Sequence, residues 1–339
     1  MKLMILSLML GCALSMGARC AVDPDAMAQC PQPDRAYSVV VSLSKEAGGE
    51  RALSMDKTPL THGNQVGGRV SDTLISSPGQ CCSSEKLDSV RRVIAPSIAT
   101  FRGLADNVIA SPEVVRPLME RLARGRDVVR IVHVGDSHIR GYYYSQATRD
   151  VLESVYGNTA VEPRRIVGTS SGILTETGQP GLVYQTIGIN GATCSTYTKD
   201  TARLAEIAAQ KPDLIILSFG TNEAHNTNYS EAAHTTQMQR LTDALGERCP
   251  DAVFLLTTSP GSYQNGRPNP RTKRVAANIV AFAAEHGMAS WDMFTILGGD
   301  GNILNNWASR KMQRQDRVHF NAEGYTLMGR MLAEALLKL

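Results

Sequence analysis

Four short segments carry the residue types that acyl transfer needs: Gly135-Asp136-Ser137-His138, Gly188-Ile189-Asn190-Gly191, Gly220-Thr221-Asn222-Glu223 and Asp316-Arg317-Val318-His319. Together they supply a hydroxyl nucleophile, oxyanion donors and an oriented base. A serine hydroxyl is inert at neutral pH unless a base takes its proton. Of the seven histidines, only His319 has an aspartate three residues earlier. In a tight loop that spacing lets the Asp316 carboxylate accept the ring Nδ1–H while Nε2 faces Ser137. The backbone N–H groups of Ser137 and Gly191 and the Asn222 amide are the expected oxyanion donors. A glycine at 191 leaves room for an acyl oxygen to approach the main chain. Asp136 is expected to stabilise the turn around Ser137, His138 to support or pack, and Glu223 to hydrogen-bond neighbouring loops.

These groups are far apart in sequence, so a scaffold must gather them. From Val128 the chain repeats strand, loop and helix. Apolar strands are predicted at Val128–Val134, Tyr184–Gly188, Leu214–Phe219, Ala252–Thr257 and Met288–Trp291. Helices are predicted over Gly141–Val155, Leu204–Ala209, Gln237–Leu245, Arg274–His286 and from Glu323 onward. Uncharged strand cores alternating with helices argue a parallel sheet covered on both faces. Such sheets build their sites at the carboxyl ends of the strands. Ser137, Gly188 with Gly191, and Asn222 each follow one of these strands. Ahead of them, Ser111-Pro112-Glu113 reads as a helix start running to Gly125, with Pro117 a possible kink.

The blocks GDSHIR, GINGAT and SFGTNEA, with the closing Val318-His319-Phe320 run, resemble the SGNH/GDSL hydrolase superfamily. They are similar in particular to exported bacterial members acting on O-acetylated cell-wall glycans. The resemblance covers roughly residues 128–339. It implies a flavodoxin-like, three-layer α/β/α sandwich with about five parallel strands and no metal or organic cofactor. It also places Ser137, Asp316 and His319 as catalytic residues, with Ser137, Gly191 and Asn222 as the oxyanion hole. His138 stands where leucine is commonest. The stretch between Ser137 and Gly188 is too short for the β-rich carbohydrate-binding insertion of some members.

The remaining features bound the setting. Net charge is +3 over 339 residues, with no basic block, which gives no sign of a nucleic-acid partner. Residues 1–20 read as a signal peptide: Lys2, an apolar run to Leu14, then small residues. This implies a secreted or periplasmic protein, and a lipid-anchored one is disfavoured because neither Cys12 nor Cys20 follows a Leu-small-small triplet. No later segment is apolar enough to span a membrane. Residues 21–95 read as an irregular extension and 96–339 as the catalytic domain. Cys81 and Cys82 are adjacent, which makes Cys30 a candidate disulfide partner, while Cys194 and Cys249 read as plain buried thiols. No zinc-ligand spacing is present. Glu231 and His234, three apart, read as a solvated helix face. Trp307 and Tyr142 are the candidate sugar-contacting aromatics, with half-buried packing the competing reading for Tyr142–Tyr144.

The expected reaction is removal of O-acetyl groups from a carbohydrate, with peptidoglycan among the candidates. Three rivals use or vary the same site: a lipase or thioesterase on longer acyl chains, an O-acetyltransferase, and a non-catalytic glycan-binding protein.

Overall fold

In the computed structural model, residues 83–162 and 174–339 are described. The chain divides after Ser71, and everything described belongs to the second unit, Asp72–Leu339. The leader, the Cys30, Cys81 and Cys82 question and most of the 21–95 segment lie outside the described residues.

The sheet strands are β1 (Val128–Gly135), β2 (Gly181–Gly188), β3 (Leu214–Ser218), β4 (Val253–Thr257) and β7 (Ala289–Trp291). Tyr263–Gln264 (β5) and Arg267–Pro268 (β6) make a separate two-residue hairpin. The five pair in the order β2-β1-β3-β4-β7, every pair parallel. Their carboxyl ends are level: Gly135 sits opposite both Gly188 and Ser218, and Thr257 opposite Ser218 and Trp291. One rim therefore carries the residue that follows each strand.

Strand side chains alternate between faces, and the two faces make two cores. Val129, Ile131, Leu182, Tyr184, Leu214, Ile216 and Leu255 belong to one cluster; Val132, Val134, Ile187, Ile215, Leu217 and Leu256 belong to the other. The first is covered by α4 (Tyr143–Tyr156) and α12 (Ala322–Leu337), joined by α1 (Ser84–Ile98), α2 (Arg116–Ala123), α10 (Met293–Ile296) and α11 (Gly299–Ser309). The second is covered by α5 (Cys194–Lys199), α6 (Thr201–Ala209), α8 (Glu231–Gly246) and α9 (Arg271–Glu285). Two four- and five-residue helices, α3 (Ser137–Arg140) and α7 (Thr221–His225), sit directly after β1 and β3. The result is the expected three-layer α/β/α sandwich on a five-stranded parallel sheet.

Two departures have local causes. Ser84–Ile98 is a helix where irregular chain was expected. Ser83 caps it by accepting the Lys86 N–H, and Leu87, Val90 and Ile94 are buried along one stripe. Arg91 bonds Glu334 of α12 at 3.0 Å, and the Lys86 ammonium donates to the Val155 carbonyl at 2.6 Å. The described body thus begins ahead of residue 96. The second departure follows Ser111, which takes a left-handed conformation at φ 51 and does not cap. A short 3-10 turn (Pro112–Val114) precedes α2, and Pro117 lies in the first turn of that helix rather than kinking a longer one. A proline there removes an N–H that has no intrahelical partner anyway.

Candidate active site

Asp316, Arg317, Val318 and His319 form a turn closed on one carboxylate. Oδ1 of Asp316 accepts the N–H groups of Val318 and His319, both at 2.9 Å. Its Oδ2 accepts the His319 ring Nδ1–H at 2.9 Å. To make this turn Arg317 adopts φ 54, and its guanidinium lies 4.9 Å from the centre of the Tyr263 ring. Arg314 N–H donates to the His319 carbonyl and Tyr263 N–H to the Arg317 carbonyl, which holds both sides of the loop. Burial pushes the Asp316 carboxyl up, but the hydrogen bonds from the ring and backbone of His319 and from Val318 outweigh it, so it is held well below the usual range.

With Nδ1–H given to Asp316, the free lone pair of His319 is on Nε2. The Ser137 hydroxyl donates to it at 2.9 Å, across 182 positions of sequence. Ser137 is the first residue of α3, so its N–H has no intrahelical carbonyl. Asp136 caps that helix, its Oδ1 accepting the His138 N–H at 2.8 Å.

The remaining donors come from the two neighbouring strand ends. Gly191 lies just past β2 at φ 71, a left-handed value that favours glycine, and open space surrounds the place a Cβ would occupy. Asn222 sits in the first turn of α7, its amide donating to the Ala192 carbonyl at 2.9 Å and to Asp136 Oδ2 at 3.2 Å. Glu223, beside it, is buried and accepts the N–H groups of Gly220 and Cys194, at 2.9 and 3.1 Å. It fastens α7 to the loop after Gly191, as expected of a loop anchor.

His138 is buried beneath the base. Its ring centre is 5.3 Å from that of His319, and its two nitrogens meet the hydroxyls of Tyr325 (3.0 Å) and Thr221 (3.1 Å). Burial lowers it to about 3, with the neighbouring His319 adding to the effect, so it stays neutral. Its place is support, as the sequence suggested.

Of the two aromatic candidates, Trp307 is corrected. Trp307 is 0% exposed; its indole N–H donates to the Pro260 carbonyl at 2.9 Å, and Phe101 and Phe320 meet it edge-on. It is a core residue of α11 and offers no face to a ligand. Tyr142 is half-buried, with its hydroxyl enclosed and the charges of Arg149, Asp150 and Glu153 of α4 as neighbours. These neighbours fit the half-buried packing that stood as its competing reading. Glu231 and His234 also part: Glu231 pairs with Arg274 at 3.0 Å, whereas His234 is buried against Asn278.

Several residues around the base were not singled out from sequence. Tyr263 reaches the catalytic loop, and Gln264 donates to the His225 carbonyl, from the hairpin in which β5 and β6 turn back through Asn265-Gly266, both at positive φ. An Asn-Gly pair is a strong hairpin signal and could have revealed them. His225 bonds Ser262 at 2.9 Å and is lowered by burial and by the charges of Arg271 and His319. Thr221 lies within the third block and Tyr325 in the Gly324-Tyr325 run that follows His319, but their hydroxyls carry no sequence signal of a partner in His138.

Among the described residues one group could offer metal ligands: Cys194, Glu223 and His234, with ligand atoms within 4.8 Å of one another. The Glu223 oxygens already hold the Cys194 and Gly220 N–H groups, which serves the loop anchoring described above. Cys194 and Cys249 are buried and free, as expected. No described helix is long and apolar enough to cross a membrane.

A parallel sheet ending in a serine–histidine–aspartate hydrogen-bond chain, flanked by glycine and asparagine loops, defines a class of esterases. Residues 134–327 match the GDSL-like Lipase/Acylhydrolase family, and the chain belongs to that family of carboxylic ester hydrolases. Among solved structures it is similar to a peptidoglycan O-acetylesterase, at 20% identity and TM-score 0.56, covering 69% of this chain and 98% of that one. It is also similar to an acetylxylan esterase from Geobacillus stearothermophilus, at 14% identity and TM-score 0.44, covering 62% and 95%. A lipase/acylhydrolase from Enterococcus faecalis matches at 20% identity and TM-score 0.41, covering 60% and 93%. At these identities the likeness is one of fold. No curated protein matches the sequence.

Proposed function

We propose that this chain is an exported serine esterase that removes O-acetyl groups from a carbohydrate. The observation that carries the reading is the unbroken chain from the Ser137 hydroxyl through His319 to Asp316, with both bonds at 2.9 Å. Ser137 Oγ attacks the acetyl carbonyl carbon while His319 Nε2 takes the hydroxyl proton. The carbonyl oxygen becomes an oxyanion beside the N–H groups of Ser137 and Gly191 and the Asn222 amide. Collapse of the adduct expels the sugar oxygen, which receives the proton from His319. A water then attacks the acetyl-enzyme by the same route and acetate leaves. Asp316 stabilises the imidazolium without itself taking the proton.

The leader at residues 1–20 supports export, and an exported esterase meets glycans outside the cytoplasm. The peptidoglycan O-acetylesterase that shares the fold supplies one substrate to try. The test is acetate release from acetylated xylan, O-acetylated peptidoglycan and acetylated simple sugars, with S137A as control. S137A should fold normally and lose roughly 10⁴-fold or more in turnover of a small acetate ester. A near-normal rate in that variant would remove Ser137 from the mechanism.

A further inference from the structure

Asn222 must give a hydrogen to the oxyanion, yet both hydrogens of its amide are already placed. One goes to the Ala192 carbonyl at 2.9 Å and the other to Asp136 Oδ2 at 3.2 Å. One of these bonds has to be released in each turnover. The Ala192 bond ties α7 to the loop carrying Gly191, so breaking it would displace a second donor. The Asp136 bond is the longer one, and its acceptor can change charge. It is the bond that can loosen while the rest of the hole stays assembled.

Asp136 is 1% exposed, and among the described residues no Lys or Arg acts on its charge. The titratable groups that bear on it are Glu223 from α7, His138 from its own turn, Cys194 and Tyr197 from α5, and Tyr325 from α12. Two of these are hydroxyls and one is a thiol, all raised by burial; His138 is neutral; Glu223 is a second acid. Burial, with the Glu223 charge adding and the His138 N–H opposing, pushes the Asp136 carboxyl up to about 8. An ionised carboxylate accepts an amide hydrogen roughly twice as strongly as a neutral acceptor.

We propose that Asp136 is a positioning residue that governs the oxyanion donor: ionised, it retains the Asn222 amide hydrogen, and neutral, it lets that hydrogen turn to the acyl oxygen. The inference rests on the esterase reading above. Its consequence is an alkaline limb in turnover that belongs to Asp136 and acts through Asn222.

The test is kcat against pH on a small acetate ester, with the uncatalysed rate subtracted, for the wild type, D136N and N222A. Wild-type kcat should fall above about pH 8, by about fivefold between pH 8 and pH 9 if only the neutral form turns over. D136N cannot ionise and should hold its plateau over that range. N222A should be slower throughout and should also lack the fall, because Asp136 then has nothing to retain. A fall that persists in D136N or in N222A overturns the inference, as does a flat alkaline side in the wild type. If D136N does not fold, N222A decides alone. A wild type inert toward acetate esters would overturn both this inference and the esterase reading; hydrolysis without the alkaline fall overturns this one only.

Discussion

At the scale of single residues, the site works by stacking one constraint on another. Ser137 is aimed by the first turn of α3, His319 by the Asp316 turn, and His138 fills the space beneath, tied to α7 and α12 through Thr221 and Tyr325. His138 touches neither the nucleophile nor the acyl group, so its effect on rate must pass through His319. A leucine there should fit much of the volume, but it leaves the two hydroxyls without their ring partner. We expect H138L to fold with stability lower by about 1–3 kcal/mol, the usual consequence of a stranded buried polar group. Its kcat should drop about tenfold with KM little changed, because a base that tilts loses transition-state contact and not substrate binding. Steady-state kinetics and thermal unfolding measure both. An unchanged kcat would reduce His138 to filler.

At the scale of elements, the sheet was legible because its strands are short, mostly apolar runs, and each of the five was placed within three residues of its observed start. The serine, glycine and asparagine blocks were legible for the same reason: they sit where those runs stop, whereas the histidine block was read from the spacing of Asp316 and His319 ahead of α12. What escaped was whatever depends on tertiary contact. Helix α1 carries its stripe of Leu87, Val90 and Ile94 among charged neighbours, and only α12 makes that stripe useful. Trp307 looked available because its segment is rich in glycine and asparagine, whereas it is the centre of an aromatic cluster behind Phe320. The crossing of α4 and α12 shows how tight such contacts are. A Cβ on Gly329 would lie 2.2 Å from the Tyr144 carbonyl oxygen and 2.7 Å from Ala147 Cβ. On an exposed helix, glycine to alanine would stabilise by about 0.5–1 kcal/mol, but here the two helices must part. G329A should therefore lose about 1–3 kcal/mol, by overpacking. Thermal denaturation should show a midpoint several degrees lower; an unchanged or higher midpoint would mean that the crossing is looser than these distances state.

At the scale of the whole molecule, the folded chain withholds several groups from protonation equilibria, and they oppose one another. His133, His138 and His234 are buried and lowered to about 3, 3 and 4. Between about pH 5 and pH 6 each is neutral when folded and increasingly protonated when unfolded, since free histidine titrates near about 6.5. That favours unfolding as pH falls. Asp136, raised to about 8, acts the other way: it keeps a proton when folded that the unfolded chain has given up, so its contribution is lost as pH rises toward that value. Glu223, also raised by burial, shares that sign. His225, also lowered, adds to the histidine side, and Asp150 and Glu153, raised by burial, add to the acid side. D136N removes one opposing proton and should steepen the slope by about 1.4 kcal/mol per unit, whatever its offset in absolute stability. Urea unfolding at the two pH values reads both slopes. A slope in D136N no steeper than the wild type's would show that Asp136 is ionised in the folded chain at these pH values, and would remove the charge state on which its control of Asn222 depends.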